Sequence, residues 1–323
     1  MTAVEGRVAP EWLALREPAD AAARSGRLVA EVVAAVSAGR SAESAAGSRH
    51  GPLVVHDLGC GSGSMLRWLA PRLPGPQHWV LHDRDADLLD LARRHAPAEA
   101  CDGAPVTVEL RRGDLTRLGE EGLAGASLVT ASALLDMLTA EELDRVVRSC
   151  VAARCPVLLA LTVLGHVHLD PRDPLDVELG AAFDDHQRRT DGSRTLLGPD
   201  AGPVAVGLLS GLGARVLVDR SPWRLGPSSA PLLAEWLAGW LGPALAQRPE
   251  LSLPAGRWLA RRRRQMERSL LTATVDHLDV LALPPTVAGE PSGSASREAG
   301  GARGAAPGRH VAHPPSPEVS VHG

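Results

Sequence analysis

The chain has 323 residues, 44% of them hydrophobic and only 2% aromatic, with a formal net charge of −4. That length suffices for one large or two small packed domains, and the acidic excess argues against a nucleic-acid partner, whose phosphates ask for a basic surface. Lys, Asn, Ile and Tyr are absent and Phe183 is the lone phenylalanine, so Leu, Val, Ala and Trp must build the core.

Four cysteines (Cys60, Cys101, Cys150 and Cys155) form neither a CxxC pair nor a zinc-ligand spacing. The N-terminus carries Glu5 and Glu11 and no continuous apolar run, so reduced thiols in a cytoplasmic protein without a membrane segment are expected.

In chain order, residues 1–50 read as an N-terminal helical cap, with Ala-rich helical periods around 11–24 and 26–38 expected to cover the ligand face of a sheet. From Pro52 onward short Val/Leu runs alternate with helix-period segments. Strands are predicted near 53–57, 78–82, 106–110, 126–131, 156–162, 213–219 and 274–284, and helices near 64–72, 85–94, 140–152, 202–212, 229–247 and 254–271. That alternation predicts an α/β, Rossmann-like, doubly wound fold around a mainly parallel seven-stranded sheet. The main domain is set at 51–284, with a helical insertion at about 222–272 before the last strand. Residues 285–323, rich in Pro, Gly, Ser and Ala without periodicity, read as a disordered tail.

One stretch carries chemistry. VVHDLGCGSGS (54–64) is an apolar strand, an acid and three glycines at alternate positions. Such a turn places free backbone N–H groups at the carboxyl edge of a parallel sheet, where open α/β folds bind ligands. The spacing is GxGxG, with Ser64 where the dinucleotide fingerprint wants its third glycine, and a lysine-dependent phosphate loop is impossible in a chain without lysine.

This stretch resembles motif I of the class I S-adenosylmethionine-dependent methyltransferases, and the resemblance extends over roughly residues 50–165 through matches at later strand ends. It implies S-adenosyl-L-methionine as cofactor. Gly59, Cys60, Gly61 and Gly63 would let the backbone approach the methionine and ribose portion. Asp57 resembles the acid that holds the loop and the ammonium, Asp83 with Arg84 beside it the ribose-binding acid, and Asp114 with Leu115 the pair at the adenine. Thr130, Ala131 and Ser132 resemble the segment lining the methyl-donor side. Any one of these acids alone reads more simply as a cap or turn former, as Asp85 does for its helix; together, in register with one glycine loop, they favour the cofactor.

Methyl transfer from a sulfonium needs alignment, exclusion of water and sometimes removal of a proton, so no fixed catalytic triad is expected. Asp136 and His186 are the catalytic candidates, and His166 and Arg189 the substrate-binding ones. Asp185 and Arg189 at i, i+4 also read as a surface ion pair. His166-x-His168 with Asp170 invites a metal reading, which is set aside; no metal is expected. Arg261–Arg264 reads as a solvated helix face, and Trp236 and Trp240 as helix packing.

The reading reached is methyl transfer to a small-molecule oxygen or nitrogen acceptor by a monomer or homodimer. The alternatives are an RNA or protein methyltransferase docking through the Arg261–Arg264 helix, and a non-catalytic cofactor-binding subunit.

Overall fold

The computed structural model describes residues 8–45 and 51–285; the tail expected from about residue 285 lies outside them. The elements in order are α1 (Pro10–Ala23), α2 (Gly26–Ala45), β1 (Leu53–Leu58), α3 (Ser64–Leu69), β2 (Gln77–Asp83), α4 (Ala86–Arg94), β3 (Val106–Arg112), β4 (Leu128–Ser132), α5 (Ala140–Ala152) and β5 (Val157–Asp170). There follow α6 (Leu175–Gln187), a two-residue hairpin of β6 (Thr190–Asp191) and β7 (Arg194–Thr195), α7 (Ala201–Gly211), β8 (Arg215–Arg220), β9 (Trp223–Leu225), α8 (Ala230–Gln247), α9 (Ser252–Glu267) and β10 (Thr272–Leu283).

The main sheet has the order β3-β2-β1-β4-β5-β10-β8, and β9 also pairs with β10. The chain reverses direction across the sheet between β1 and β4, which opens a ligand crevice at the carboxyl ends of those strands. Pairing is parallel from β3 to β5, whereas β10 runs antiparallel to β5, β8 and β9. The sheet therefore has eight strands, not seven: the extra one, β9, spans three residues and is too short to leave a periodic signal.

Side chains alternate across this sheet, as the two-residue strand period requires. On β10, Leu281 and Leu283 join a core with Leu28 and Val32 of α2 and Leu66 and Leu69 of α3. Val280 and Ala282 join the opposite core with Val146 of α5 and Leu209 of α7. A third core lies among α6, α8, α9 and β9, built on Trp223, Trp236, Trp240 and Trp258.

Local signals set most helix starts. The Asp85 carboxylate accepts from the N–H groups of Asp87 (3.0 Å) and Leu88 (3.4 Å) at the head of α4. Thr139 and Glu142 close a reciprocal capping box on α5.

Three expectations are corrected. β5 continues to Asp170, pairing with β10 from Ala282↔Val157 to Thr272↔Asp170. Gly165, with φ +72°, and two register shifts in the ladder interrupt the pattern a sequence shows. Asp185 pairs with Arg248 at 2.6 Å instead of Arg189, because α6 ends at Gln187. Finally, Arg262 is fully buried, with Asp176 at 2.6 Å, and Arg261 pairs with Asp173. Half of the arginine run thus clamps α9 onto the start of α6 rather than facing solvent.

Candidate active site

The glycine loop between β1 and α3 is held in left-handed backbone at Gly59 (φ +63°), Gly61 (+53°) and Gly63 (+85°), a region that L side chains enter at a cost. Two of these glycines are also sterically required. A Cβ on Gly59 would stand 2.9 Å from Leu134 Cδ1, and one on Gly63 2.9 Å from the Cβ of Ala92 on α4. Gly63 is thus a packing glycine. It seats α3 against α4 and does not line the cavity.

The loop opens into a cavity of about 1740 Å³ lined by Asp57, Gly59, Cys60, Gly61, Asp83, Arg84, Asp114, Leu115, Ser132, Asp136, His186 and Arg189 among others. Twelve of the sixteen candidate residues named from sequence therefore meet in one space. Gly63, Thr130, Ala131 and His166 do not line it.

Asp83, ending β2, accepts from the Gly61 N–H through Oδ2 and from the Asp85 N–H through Oδ1, both at 2.9 Å. These bonds fix the carboxylate beside the glycine loop and leave lone pairs free for hydroxyl donors. Asp114, just past β3, accepts from the backbone and hydroxyl of Thr116 at 3.0 and 2.7 Å, so it caps a turn and faces the cavity at once. Those bonds to Thr116 hold its carboxyl below the usual range. The Cys60 thiol is pushed well up by burial and stays protonated, which rules it out as a nucleophile.

Asp57 is 1% exposed. Its Oδ1 accepts from the Thr130 hydroxyl at 2.7 Å, while Oδ2 has no partner among the described residues. Burial raises this carboxyl to about 7, against the pull of Thr130 and Arg24. Thr130 therefore acts behind the site, as the group that orients Asp57.

Sequence reasoning missed the complement of Asp57. Arg24, at the break between α1 and α2, is 5% exposed and lines the same cavity. Its Nη2 donates to the hydroxyls of Ser64 (3.0 Å) and Ser132 (3.1 Å), and its Nε is buried without a partner among the described residues. The neighbouring Ser25 N–H donates to Asp279 at 2.8 Å, and the same carboxylate accepts from Leu161 N–H and the Ser221 hydroxyl. That buried knot fixes where the interhelical break sits. The only hint in sequence is an Arg followed by Ser-Gly between two Ala-rich periods.

Helices α1, α6 and α8 also contribute to the cavity wall, through Trp12, Phe183, His186, Trp236 and Trp240, with Met137 from the turn after β4. α1 is tied down by Arg67, which grips both oxygens of Glu17 at 2.7 and 2.6 Å, and by the Trp223 indole N–H donating to Asp20 at 2.9 Å. Helices α1, α6 and α8 reach the cavity, whereas no described residue of α2 or α9 lines it. His186 and Arg189 share the wall; the Nη1 of Arg189 donates to the His186 carbonyl. Burial lowers the His186 pKa, with Arg189 adding to it, so the ring is neutral at pH 7. Burial raises the Asp136 carboxyl, opposed by the charge of Arg16. His166 sits elsewhere: the extension of β5 leaves it exposed, 3.9 Å from Asp276. No group of three or more His, Cys, Asp or Glu side chains among the described residues is placed to hold a metal ion.

A glycine-turn crevice with acids at successive strand ends lies at the switch point of this Rossmann-like sheet. Residues 55–156 match the family described as a methyltransferase domain. That match spans the glycine loop and the strand-end acids Asp57, Asp83 and Asp114, and it shows a methyltransferase domain over this part of the chain. No curated protein matches it.

Solved structures similar to it include a S-adenosylmethionine-dependent methyltransferase from Geobacter sulfurreducens in complex with S-adenosyl-L-homocysteine (15% identity, 85% of this chain and 98% of that one, TM-score 0.39). The YcgJ protein from Bacillus subtilis is also similar (13%, 76% and 97%, TM-score 0.42). A third is magnesium protoporphyrin IX methyltransferase from Synechocystis PCC 6803 with bound S-adenosyl-homocysteine (16%, 58% and 75%, TM-score 0.35). Among the described residues no helix is long and apolar enough to cross a membrane.

Proposed function

We propose that this methyltransferase acts on an oxygen or nitrogen of a small molecule, with donor and acceptor in adjoining halves of the one cavity. A pocket for one drug-sized ligand spans about 300–1,000 Å³. The observed 1740 Å³ accommodates two. The observation that carries the donor half is the pair of buried orphans, Asp57 Oδ2 and Arg24 Nε. Unpaired buried charge is costly, and the ammonium and carboxylate of the cofactor's amino-acid end supply both missing partners. Asp83 would accept from the ribose hydroxyls, and Asp114 from the adenine amino group with Leu115 against the ring. Arg84 and Ser132 border the same ligand.

When bound, the cofactor supplies a methyl group already activated by its sulfonium. The protein's tasks are then to align the acceptor, exclude water and hold the departing proton. The neutral His186 imidazole can take that proton, and Asp136 can accept a hydrogen bond from the acceptor hydroxyl or amine. We further propose residues 8–45 and 51–285 as a single methyltransferase unit in which α1 roofs the acceptor half. Arg261 and Arg262 are engaged with Asp173 and Asp176, which leaves Arg263 and Arg264 as the exposed part of the run for the alternative of nucleic-acid docking.

The test is calorimetry with S-adenosyl-L-methionine and its demethylated product, followed by labelled-methyl transfer to fractions of small molecules, RNA and protein. Binding with label passing to small molecules is expected. Label passing only to RNA or protein would sink the acceptor reading, and binding without any transfer would favour a non-catalytic subunit.

A further inference from the structure

The acceptor half of the cavity has a composition unlike the rest of the molecule. The chain holds only eight residues of the Phe, Trp and Tyr types, seven Trp and one Phe, and four of them, Trp12, Phe183, Trp236 and Trp240, line this one space. The other four, Trp68, Trp79, Trp223 and Trp258, are buried in the cores, so the aromatic residues that border open space are gathered at this cavity. Trp236 and Trp240, one turn apart on α8, stack at 5.6 Å with planes 18° apart. Phe183 leans on Trp240 at 6.4 Å, and Trp258 covers it from behind at 5.9 Å. Trp12 and Phe183 are half-buried and Trp236 is 9% exposed. Phe183, Trp236 and Trp240 thus form a backed cluster of rings suited to a flat π-system, while Trp12, against Trp223 at 6.4 Å, lines another part of the same cavity.

The polar groups on that wall are unevenly satisfied. The indole N–H of Trp223 donates to Asp20 and that of Trp258 to Asp176 at 2.7 Å. Trp240, 2% exposed, has an indole N–H with no acceptor among the described residues. Nearly all buried donors find one, so this N–H is a gap in the polar accounting of the wall. The cations differ in the same way. Arg16 is bound to Asp20 and Arg194 to Glu142. Arg189 lines the cavity with only a backbone carbonyl as partner and no carboxylate within ion-pair distance among the described residues. A guanidinium without a paired carboxylate fits a single negative charge better than a phosphate dianion, and its planar fork suits a carboxylate.

We infer that the acceptor is a hydroxylated aromatic carboxylate, stacked on the Phe183–Trp236–Trp240 rings with its carboxylate on Arg189. This rests on the methyl-transfer reading above. In the reaction the phenolic oxygen forms a bond to the donor's methyl carbon while the carbon–sulfur bond breaks. That bond's electron pair stays on sulfur, leaving a thioether, and the phenolic proton passes to neutral His186 and then to water. The product is an aryl methyl ether with its carboxylate intact.

The test uses the full chain with S-adenosyl-L-methionine and a panel of hydroxybenzoates and hydroxynaphthoates, their methyl esters, and hydroxycyclohexane carboxylates. Turnover of the aromatic acids is expected, with the saturated acids poor. Loss of one charge-assisted contact is worth roughly 10–100-fold, so Arg189→Gln should raise KM for an acid by that factor and leave the ester within about twofold. Trp236→Leu should weaken every aromatic acceptor, and Trp236→Phe, which keeps a ring in the wall, should restore most of the loss.

Preference for the saturated acids, an equal effect of Arg189→Gln on acid and ester, or cofactor binding with no aromatic acid turned over would each overturn the inference. Calorimetry with S-adenosyl-L-homocysteine separates this from a failure of the underlying reading. A chain that does not bind it is no methyltransferase and the inference falls with it, whereas a chain that binds it and rejects the panel loses only the inference.

Discussion

The two halves of the cavity are built in opposite ways. The half proposed for the donor consists of strand ends and the turns that follow them: Asp57, the glycines, Asp83 and Asp114 are placed by β1, β2 and β3, and their partners are mostly a few residues away or on the adjacent strand. The acceptor half is assembled from α1, α6 and α8, which are remote in sequence and are joined by side-chain clamps such as Trp223 to Asp20 and Arg248 to Asp185. One half is a local motif repeated along a sheet. The other exists only once the tertiary structure has formed, so the halves should fail separately.

The largest expected effect tests that separation. The Arg262–Asp176 pair is buried and joins α9 to α6. Breaking such a pair leaves an uncompensated buried carboxylate and costs about 3–5 kcal/mol. Arg262→Ala should therefore lower the unfolding midpoint sharply and abolish transfer, while Arg262→Met, which fills the space, should lose less activity. If the halves are separable, calorimetric affinity for S-adenosyl-L-homocysteine in the folded fraction stays near wild type. A parallel collapse of cofactor binding would refute the division.

Next in size is Asp83→Ala. This carboxylate both anchors the Gly61 N–H and would accept from the ribose hydroxyls. Charge-assisted bonds are worth about 1.5–3 kcal/mol, so affinity for the cofactor should fall about 100-fold. Unchanged binding would remove the ribose role.

These two expectations also show what the sequence could reveal. The donor half was legible because its chemistry lies in a strand–turn–helix reading: Asp57, the glycine loop, Asp83 and Asp114 all stand at the strand ends where they were expected. Gly63 was named for the wrong reason, since only the fold shows Ala92 against it. Arg24 was invisible because nothing local distinguishes a cation that lines a cavity from one on a surface. His166 was misplaced because β5 runs on past Gly165, where an interrupted alternation reads as a loop. Trp236 and Trp240 were read as packing, and they are; that they also face a cavity depends on α6 and α1, which α8 meets only in three dimensions.

A third, intermediate effect concerns Asp57. Its pKa rises from the ordinary carboxylate value to about 7 in the folded protein because it is buried. A raised folded-state pKa favours the folded form below the unfolded value, near 4, and that advantage is lost as pH climbs through about 7. Above pH 7 the ionised carboxylate is a burden on the unliganded protein, on the order of a few kcal/mol. Asp57→Asn should therefore raise the unfolding temperature at pH 8 more than at pH 5. The same variant should bind the cofactor roughly tenfold more weakly at pH 8, because an ammonium prefers the anion. Wild-type affinity should rise with pH up to about 7 and then level, and the variant's should stay flat. A wild-type profile without that bend would show that Asp57 does not meet the ammonium.

The smallest effect is the most discriminating for the residue that sequence reasoning missed. Arg24 Nη2 is shared between the hydroxyls of Ser64 and Ser132 at 3.0 and 3.1 Å. Removing one acceptor leaves the other in place, so Ser64→Ala or Ser132→Ala alone should weaken cofactor binding only two- to fivefold, about the worth of one neutral bond. Removing both frees the guanidinium, and because the two hydroxyls serve one group their losses should not simply add. The double variant is expected to lose more than the product of the single effects. Methylthioadenosine, which has the ribose and adenine but lacks the amino-acid end, supplies the control: its affinity should be the same in all four proteins if Arg24 grips the carboxylate. Equal weakening of both ligands would mean that the serines support the glycine loop in general, and that the buried Arg24 Nε finds its partner elsewhere.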